Sequence, residues 1–374
     1  MFEKRLKQFE KRIEQGLDTK KPALVFSFEW FLLGFSHLYG LGVRIRLYLY
    51  KIKIFKSERL PCFVISVGNM VVGGAGKTPM AIYLAQTLIK LGKKPVVVSR
   101  GYKGEYKDSC LIVSDGKTLF CTAKTCGDEP FMMAKRKLFP VVVGKNRVEA
   151  GRLAIKNFDC DVIVLDDGFG HLKLERNLDL LLMDWENPLG NNRFLPAGRL
   201  RETADMAIPR ADAIILTRCP QKQEISEPAI DDVDAAGSCL RFVTSHSPFI
   251  LKKIKDNIEE KILSEEITKL KGQKAFLFSG IARNKSFYKT IKEAGINILG
   301  HLEFKDHYRY KDSDIKQINL MAKQKGADLI LTTEKDWAKL DSSRDWQTDM
   351  YIIGINISFH DPDGFQMFLK QRLQ

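Results

Sequence analysis

Several signals of other protein classes are absent from this chain. Its seven cysteines are odd in number and include no C-x-x-C pair, which argues against a disulfide framework and a zinc site. No Asn-Lys-x-Asp motif for reading guanine occurs, since "TEKD" at 333–336 has the wrong spacing. No basic-aromatic module for nucleic acid is present either. We therefore expect reduced cytosolic thiols and no nucleic-acid partner.

Positive charge is in excess, and half of that excess lies near the start of the chain. The 374 residues include 60 Lys+Arg and 46 Asp+Glu, which gives a net charge of +14. Residues 1–60 hold 13 of the basic residues and only 6 of the acidic ones. Because this region also contains the most apolar stretch, the distribution favours an anionic membrane surface as a partner.

That apolar stretch, "ALVFSFEWFLLGFSHLYGLGV", covers residues 23–43. As a helix it would be about 31 Å long, enough to cross a hydrocarbon core of about 30 Å. Glu29 and His37 argue against a simple span, because a carboxylate at membrane depth costs roughly 2.5 to 3.5 kcal/mol. We expect an N-terminal membrane-associated helix that lies in or dips into the surface. A true span and a buried core helix are the alternatives.

A glycine-rich loop follows the first strand-like sequence. "FVISV" (63–67) has strand composition, and "PMAIYLAQTLIKLGKK" (79–94) has helical apolar spacing. Strand, glycine loop and helix are the context of a phosphate-binding loop, in which Lys77 would reach the β- and γ-phosphates of a nucleotide and Thr78 would hold Mg²⁺. A glycine turn before an ordinary helix is the alternative, since Val71 replaces the first glycine of the strict pattern. The predicted nucleotide-binding residues are Val71, Val72, Gly73, Gly74, Ala75, Gly76, Lys77 and Thr78.

A second apolar strand ends in two aspartates within "DCDVIVLDDGFG", residues 159–170. Buried parallel strands place such groups at the sheet edge where ligands bind. Asp166 and Asp167 are therefore predicted to bind Mg²⁺ directly or through water. A solvated Asp-Asp-Gly turn is the alternative.

Four more polar residues are predicted contacts of substrate or phosphate. Arg100 and Tyr102 follow the strand-like sequence "PVVVSRGY" (95–102), at the usual ligand edge. His171 comes directly after the aspartate turn, where a structural histidine is the alternative. Arg201 would hold a phosphate by bidentate hydrogen bonds, with an ordinary surface arginine as the alternative.

Strand-like and helix-like sequences alternate along the chain, which predicts an α/β fold with a parallel, doubly wound P-loop sheet. Because 374 residues exceed what one core usually serves, we expect two domains. The β-α-β-α-β alternation over residues 274–336 predicts that the second is a smaller α/β lobe. The predicted boundaries are 1–60 for the membrane-associating segment, 61–218 for the P-loop domain, 219–245 for a linker and 246–374 for the smaller domain.

Seven blocks of the sequence resemble those of the tetraacyldisaccharide 4'-kinases, also called lipid A 4'-kinases, in that family's order. The blocks are VGNMVVGGAGKTP, SRGYKG, GDEPFMMA, LDDGFGHLKLERNLDLLLMD, LGNNRFLPAGRLRE, FSGIARNKSFYKTIKEAGINILGHLEFKDHYRY and LTTEKDWAKL. The family's phosphate loop also lacks the first glycine, which accounts for Val71. Gly170 and Tyr308 stand where the family usually has Gln and often His, and residues beyond about 345 match weakly.

The resemblance implies ATP- and Mg²⁺-dependent phosphorylation of the 4'-hydroxyl of a tetraacyl disaccharide 1-phosphate, a late step of lipid A synthesis. It also implies a place at the cytoplasmic face of the bacterial inner membrane, as a peripheral or monotopic protein. The substrate's acyl chains would stay in the bilayer. We see no required protein partner in the sequence.

The resemblance further implies roles for single residues. Glu202 matches a third acidic contributor to the metal region. In "CGDEP", Asp128 matches the catalytic base and Glu129 is a predicted substrate contact, although a plain helix start is the alternative. His307 matches the histidine that orients the base. Because His307 lies in the second half of the chain, we expect the pair to form only when two lobes close.

A membrane-associated P-loop nucleotide switch or a metallochaperone-type NTPase is the alternative function. Either would share the glycine-Lys-Thr loop, bind a protein rather than modify a lipid, and turn over nucleotide without micelles or vesicles. The seven blocks in register favour the kinase.

Overall fold

The computed structural model describes residues 27–220, 239–256, 258–340 and 345–374. Residues 1–26 of the predicted membrane-associating segment and residues 221–238 of the predicted linker lie outside the described residues.

The chain divides into two compact units, each made of discontinuous segments. The first contains the described residues up to Ser99, Arg147–Ser245 and Ser358–Gln374. The second contains Arg100–Asn146 and His246–Ile357. The boundaries predicted from the sequence differ, because they keep 100–146 with the P-loop domain and 358–374 with the smaller one. Alternating strands and helices do not reveal that a chain leaves one unit and later returns to it.

Strands and helices alternate along the described chain. The strands are β1 (Phe63–Gly68), β2 (Pro95–Ser99), β3 (Cys110–Asp115), β4 (Pro140–Gly144), β5 (Val162–Asp166), β6 (Leu178–Asp184), β7 (Ala213–Thr217), β8 (Leu240–Lys255), β9 (Ile258–Glu266), β10 (Lys274–Ser279), β11 (Asn297–Glu303), β12 (Leu329–Thr333) and β13 (Met350–Phe359). The α-helices are α1 (Phe28–Lys51), α2 (Lys77–Lys90), α3 (Ala123–Cys126), α4 (Asp128–Lys135), α5 (Arg147–Asn157), α6 (Ala204–Ala207), α7 (Asn284–Glu293), α8 (Asp312–Gln324), α9 (Glu334–Lys339) and α10 (Pro362–Arg372).

The first unit is built on a parallel sheet with the strand order β8–β7–β6–β1–β5–β2. Strands β2, β5, β6 and β7 are runs of mainly Val, Ile and Leu that are buried along their whole length, as expected for a sheet covered on both faces. Because the strands run in one direction, their carboxyl ends share one edge. Val67 near the end of β1 is paired with Asp166 at the end of β5.

Helix α1 is attached to the first unit through its small residues. The Ser36 hydroxyl donates to the Phe194 carbonyl at 2.6 Å and accepts from the Ala197 N–H at 3.0 Å. One turn later, Gly40 lies against the Phe194 ring, where a Cβ would come within 2.6 Å of a ring carbon. Within the described ranges, no helix is long and apolar enough to cross a membrane.

The second unit is a smaller α/β assembly. It contains the parallel strands β11–β10–β12–β13, the antiparallel pair β3–β4 and the antiparallel pairing of β8 with β9. Helices α7 and α8 pack on β10 and β11 through buried residues such as Phe287, Ile291, Ile315 and Ile318. The predicted α/β class, with a parallel sheet and a second α/β lobe, is confirmed.

Close packing between the end of β1 and the turn after β5 can be tested at Gly68. A Cβ at this position would stand 2.4 Å from the Cβ of Phe169 and 2.8 Å from its backbone nitrogen. We expect Gly68→Ala to lower the free energy of unfolding by about 1–3 kcal/mol, because an added methyl group in a packed site forces the backbone to shift. Urea denaturation measures the loss.

Gly170→Ala is the matched control in the same turn, since nothing lies within 4 Å of a Cβ there. Equal stability of the two variants would contradict the close packing at Gly68.

Candidate active site

The glycine loop between β1 and α2 adopts a backbone that requires glycine. Gly73 has a φ of 134° and Gly76 a φ of 81°, values that side chains disfavour. Helix α2 begins directly afterwards at Lys77, and Thr78 is buried in its first turn. The loop therefore leads into the amino end of a helix, the arrangement in which backbone N–H groups bind phosphate.

Two neighbouring segments of the first unit hold this loop. On one side the Arg201 N–H donates to the Met70 carbonyl at 2.8 Å. On the other side the Thr217 hydroxyl, at the end of β7, donates to the Ala75 carbonyl at 3.1 Å. These contacts bring Arg201, a predicted substrate contact, to the loop despite its distance in sequence.

The ammonium group of Lys77 lies among three oxygen atoms. Its Nζ is 3.1 Å from Oδ1 of Asn69, 3.3 Å from the carbonyl of Gly73 and 3.7 Å from Oδ1 of Asp167. The lysine is therefore held above the loop, where a P-loop lysine binds phosphate oxygens.

The two aspartates after β5 have different surroundings. Asp166 is buried, and the Ser99 hydroxyl donates to its Oδ2 at 3.1 Å. Asp167 has a φ of 56° and accepts hydrogen bonds from Nη1 of Arg201 at 3.0 and 3.2 Å. Burial opposes its charge, but Lys77 and Arg201 lower the pKa of the Asp167 carboxyl below its usual range. Asp167 is therefore a carboxylate at neutral pH.

The oxygen atoms of Thr78, Asp166 and Asp167 are the ligand type that Mg²⁺ prefers. Throughout the described ranges, no three His, Cys, Asp or Glu side chains gather into a metal-binding group. A magnesium ion that arrives with a nucleotide uses only one or two carboxylates, together with phosphate oxygens and water. The residues present thus fit a nucleotide-bound ion better than an all-protein cage.

Glu202, the predicted third acidic metal contributor, has a partner of its own. Its carboxylate forms an ion pair with Arg210, whose guanidinium lies 4.5 Å from the centre of the Phe169 ring. Burial raises the pKa of the Glu202 carboxyl even though Arg210 opposes that shift. A metal role for Glu202 stays a prediction.

His171 is a neutral imidazole near the aspartate turn. Burial lowers its pKa to about 4, and the neighbouring positive charges of Arg147 and Arg176 contribute to the shift. Its Nε2 atom is buried without a hydrogen-bond partner in the part of the chain that the structure describes. A substrate contact from this atom stays a prediction.

Asp128 and His307 meet within the second unit. Asp128 is the first residue of α4, and Nδ1 of His307 lies 2.8 Å from its Oδ2. The expectation that this pair forms only when two lobes close is wrong, because Arg100–Asn146 belong to the same unit as His307. Burial opposes ionisation of Asp128, but the His307 hydrogen bond and the charges of Lys339 and Lys335 lower the pKa of its carboxyl.

Two glycine turns place Tyr102 beside this pair. Gly101 and Gly127 both have positive φ, and a Cβ on Gly127 would stand 2.7 Å from the Tyr102 carbonyl oxygen. The Tyr102 ring lies edge-on to the His307 imidazole, with their centres 5.9 Å apart. Tyr102 and Arg100 are both exposed.

Four residues with contacts to the site were not singled out from the sequence. Asn69 and Ser99 bind Lys77 and Asp166, as described above. Lys335 lies 3.7 Å from Oε1 of Glu129, the predicted substrate contact. The fourth is Thr217. Three of the four lie in blocks that resemble the family, and this position could have marked them as candidate site residues. Thr217 had no such signal beyond its place at a strand end.

Comparisons with known proteins agree on one family. The chain matches the family described as Tetraacyldisaccharide-1-P 4'-kinase over residues 28–374. The Tetraacyldisaccharide 4'-kinase of Desulfatibacillum aliphaticivorans is 37% identical over 340 residues, 91% of each chain. That of Geobacter sulfurreducens is 38% identical over 337 residues, 90% of this chain and 91% of the relative.

A solved structure gives the same result. LpxK from Aquifex aeolicus, in complex with ATP, superposes with a TM-score of 0.73 at 31% identity, over 93% of this chain and 100% of that one. The family match and the relatives span nearly all of the chain, including both units. The chain therefore belongs to the tetraacyldisaccharide-1-P 4'-kinase family.

Proposed function

We propose that this protein transfers the γ-phosphate of ATP to the 4'-hydroxyl of a tetraacyl disaccharide 1-phosphate, in the synthesis of lipid A. The observation that carries the proposal is the glycine loop at the head of α2, with the Lys77 ammonium held above it, in a chain of this family. The related protein that was crystallised with ATP supports the choice of nucleotide.

The first unit binds the nucleotide in this proposal. The loop amides from Val71 to Gly76 and the amino end of α2 receive phosphate oxygens, and Lys77 neutralises negative charge on the transferred group. Mg²⁺, when bound with ATP, supplies further charge neutralisation, and Thr78, Asp166 and Asp167 would hold it. Phosphoryl transfer depends mainly on such positioning and electrostatic stabilisation.

The second unit supplies the base. Asp128 accepts the proton of the attacking 4'-hydroxyl on a carboxylate oxygen. Its low pKa keeps it ionised and makes it a weak base, so the orientation given by His307 matters. In protein kinases, too, an aspartate accepts the proton of the substrate hydroxyl. His307 orients this carboxylate and shares its charge through the 2.8 Å contact.

Five residues are proposed as contacts of the lipid or of its phosphate. Arg201 and His171 lie in the first unit, and Arg201 already binds the carboxylate of Asp167 at 3.0 Å. Tyr102 and Glu129 neighbour Asp128 and His307, and Arg100 precedes them at the end of β2.

Helix α1 is proposed as the contact with the anionic cytoplasmic face of the inner membrane. Large apolar side chains project from it into solvent, and basic residues follow in its second half. The exposed apolar side chains are Trp30, Phe31, Phe35, Leu38, Tyr39, Leu41, Ile45 and Tyr48. An exposed apolar patch of this kind usually marks a binding surface.

Lys77→Ala should reduce phosphate transfer by about 100- to 1000-fold, because one positive donor to the transferred group is lost. The assay incubates purified protein with γ-labelled ATP and a tetraacyl disaccharide 1-phosphate in detergent micelles, and then measures label in the lipid. Lys90→Ala, at the other end of α2, is the control and should keep full activity. Transfer by Lys77→Ala at the wild-type rate would remove this residue from the mechanism.

The same assay separates the kinase from a nucleotide switch. The wild-type protein should label lipid only when micelles or vesicles carry the substrate. ATP hydrolysis that needs no lipid, with no labelled product, would favour the switch.

Asp128→Asn and His307→Ala should both lower kcat, by about 100-fold or more for the base and less for its orienting partner, with little change in ATP affinity. Titration of each variant with a fluorescent ATP analogue measures that affinity. Loss of nucleotide binding in His307→Ala would instead assign this residue to the nucleotide site.

Replacing Phe31, Phe35 and Leu38 together by Ser should weaken binding to anionic vesicles by about tenfold or more, because three apolar side chains would no longer insert into the membrane. The three are 52, 61 and 66% exposed, so folding should be unaffected. Vesicle sedimentation measures the binding.

The control variant replaces both Leu320 and Met367 by Ser. These two side chains are 55 and 60% exposed and lie outside α1. Equal vesicle binding by the two variants would show that α1 is not the membrane contact.

A further inference from the structure

The proposed mechanism assigns no contact with nucleotide or lipid to the block LTTEKDWAKL, residues 331–340. Its centre forms α9, which begins after Thr333, whose side chain accepts a hydrogen bond from the Asp336 N–H at 3.1 Å. Three consecutive residues of this short helix, Glu334, Lys335 and Asp336, each bind a different segment of the second unit. The helix is therefore placed to fix those segments relative to one another.

Glu334 fixes the far end of α4, the helix that begins with Asp128. Its two carboxylate oxygens each accept a hydrogen bond of 2.7 Å from the guanidinium of Arg136, the C-cap of α4. Both side chains are at most 7% exposed. Next to it, Nζ of Lys135 donates to the Trp337 carbonyl at 3.2 Å and lies 3.5 Å from the centre of that residue's ring. Helix α4 is thus attached to α9 at its carboxyl end.

Asp336 attaches α9 to Gly280, directly after β10, and to Tyr310, three residues after His307. Its fully buried carboxylate accepts from the Gly280 N–H at 3.0 Å and from the Tyr310 hydroxyl at 2.8 Å, and pairs with Lys339 at 2.7 Å. Buried charges are retained in proteins when they are paired and hydrogen-bonded in this way. Because Glu334 and Asp336 are both held by these contacts, the backbone of Lys335 between them has a well-defined position.

Lys335 joins the two segments that carry the catalytic pair. Its Nζ lies 3.1 Å from Oδ1 of Asp306 and 3.7 Å from Oε1 of Glu129. These residues are the direct chain neighbours of His307 and Asp128. The same Oδ1 of Asp306 accepts a hydrogen bond of 3.0 Å from the His307 N–H. One ammonium group therefore reaches the neighbours of both catalytic residues.

The backbone of His307 needs such support. Its φ of 63° lies in the left-handed region, which costs a residue with a side chain about 1–2 kcal/mol. Strained backbone of this kind persists where surrounding contacts hold it. The Asp306 carboxylate, bound on one side to the His307 N–H and on the other to Lys335, is such a contact.

We propose that Lys335 is a positioning residue for the Asp128–His307 pair, acting through Glu129 and Asp306. The inference rests on the proposed kinase function, because it concerns the base of that reaction. Its ammonium is charged at neutral pH. Burial alone would lower the pKa of Lys335, but the carboxylates of Glu129 and Asp306 raise it above its usual value.

Lys335→Met tests this role because it keeps the length and apolar stem of the side chain and removes its charge. We expect kcat to fall roughly 10- to 100-fold, since small displacements of reacting groups are costly, while KM for ATP changes less than about threefold. Lys335→Arg should recover most of the activity. An unchanged kcat in Lys335→Met would overturn the proposal.

Lys253→Met is the matched control in the same unit. Its ammonium pairs with Asp349 at 2.8 Å and its side chain is 19% exposed, against 20% for Lys335. A general effect of losing a half-buried ion pair would appear in both variants. Equal losses of kcat would therefore contradict a positioning role.

The pH profile gives a second readout. The groups that lower the pKa of Asp128 are His307, in the loop after β11, and Lys335 and Lys339, both in α9. Removing Lys335 should raise the pKa of Asp128, so the acidic limb of kcat against pH should move to higher pH in Lys335→Met. The limb should not move in Lys253→Met. An unshifted limb in Lys335→Met would contradict the proposal.

A double-mutant cycle with Asp306→Asn tests the route. If Lys335 acts through Asp306, the double variant should lose little more activity than the worse single variant. Multiplied losses would mean that the two residues act independently, and would overturn the route.

A readout without catalysis separates this inference from the proposed function. In protein with ¹⁵N-labelled histidine, Lys335→Met should move the imidazole signals of His307, identified with His307→Gln, and leave those of His301 in place. Unmoved His307 signals would overturn the positioning role even if the enzyme is active. A wild-type protein that transfers no phosphate would overturn the proposed function, while the same signals still report whether Lys335 holds His307.

Discussion

The parallel pairing of β1 with β5 determines where the phosphate-binding groups lie. With Val67 opposite Asp166, the chain leaves the same sheet edge twice, once into the glycine loop and once into the aspartate turn. The Gly168 N–H donates to the Val67 carbonyl at 3.0 Å, so the two turns are in direct contact. This contact places the aspartate turn beside the glycine loop, where Nζ of Lys77 lies 3.7 Å from Oδ1 of Asp167. A shift of register between these strands would separate the cation from its carboxylate.

Neighbouring charges determine whether the pKa of a buried carboxyl group falls or rises in the two units. Lys77 and Arg201 lower the pKa of Asp167, and His307 with two lysines lowers that of Asp128, in each case against the effect of burial. In Glu202 burial prevails over Arg210 and the pKa rises. Asp167 and Asp128, which are negatively charged in the proposed mechanism, thus both lie in surroundings that stabilise that charge. This agreement follows from contacts that are distant in sequence.

Features that depend on neighbouring residues could be predicted from the sequence, whereas the assignment of distant segments to one compact unit could not. The glycine loop, the buried strands and the aspartate turn are local patterns, and the family resemblance added His307 and Asp128. Nothing local indicates that Arg100–Asn146 pack with the second half of the chain, so the pair was expected to form across two lobes. Nor could the sequence show that Arg210 binds Glu202, since the choice among nearby arginines depends on packing.

Helix α1 reverses the usual distribution of side chains, and this supports its proposed contact with a membrane. Its buried positions are Ser36 and Gly40, whereas large apolar residues such as Phe35 and Leu38 point into solvent. A helix that served only the core of a soluble protein would bury its large apolar side chains and expose its small ones. Small residues allow the helix to approach the Phe194 loop closely, where the Ser36 hydroxyl replaces apolar packing with two hydrogen bonds. The apolar side chains that remain exposed are stabilised only when another apolar phase covers them. The acyl chains of a substrate held in the bilayer belong to such a phase.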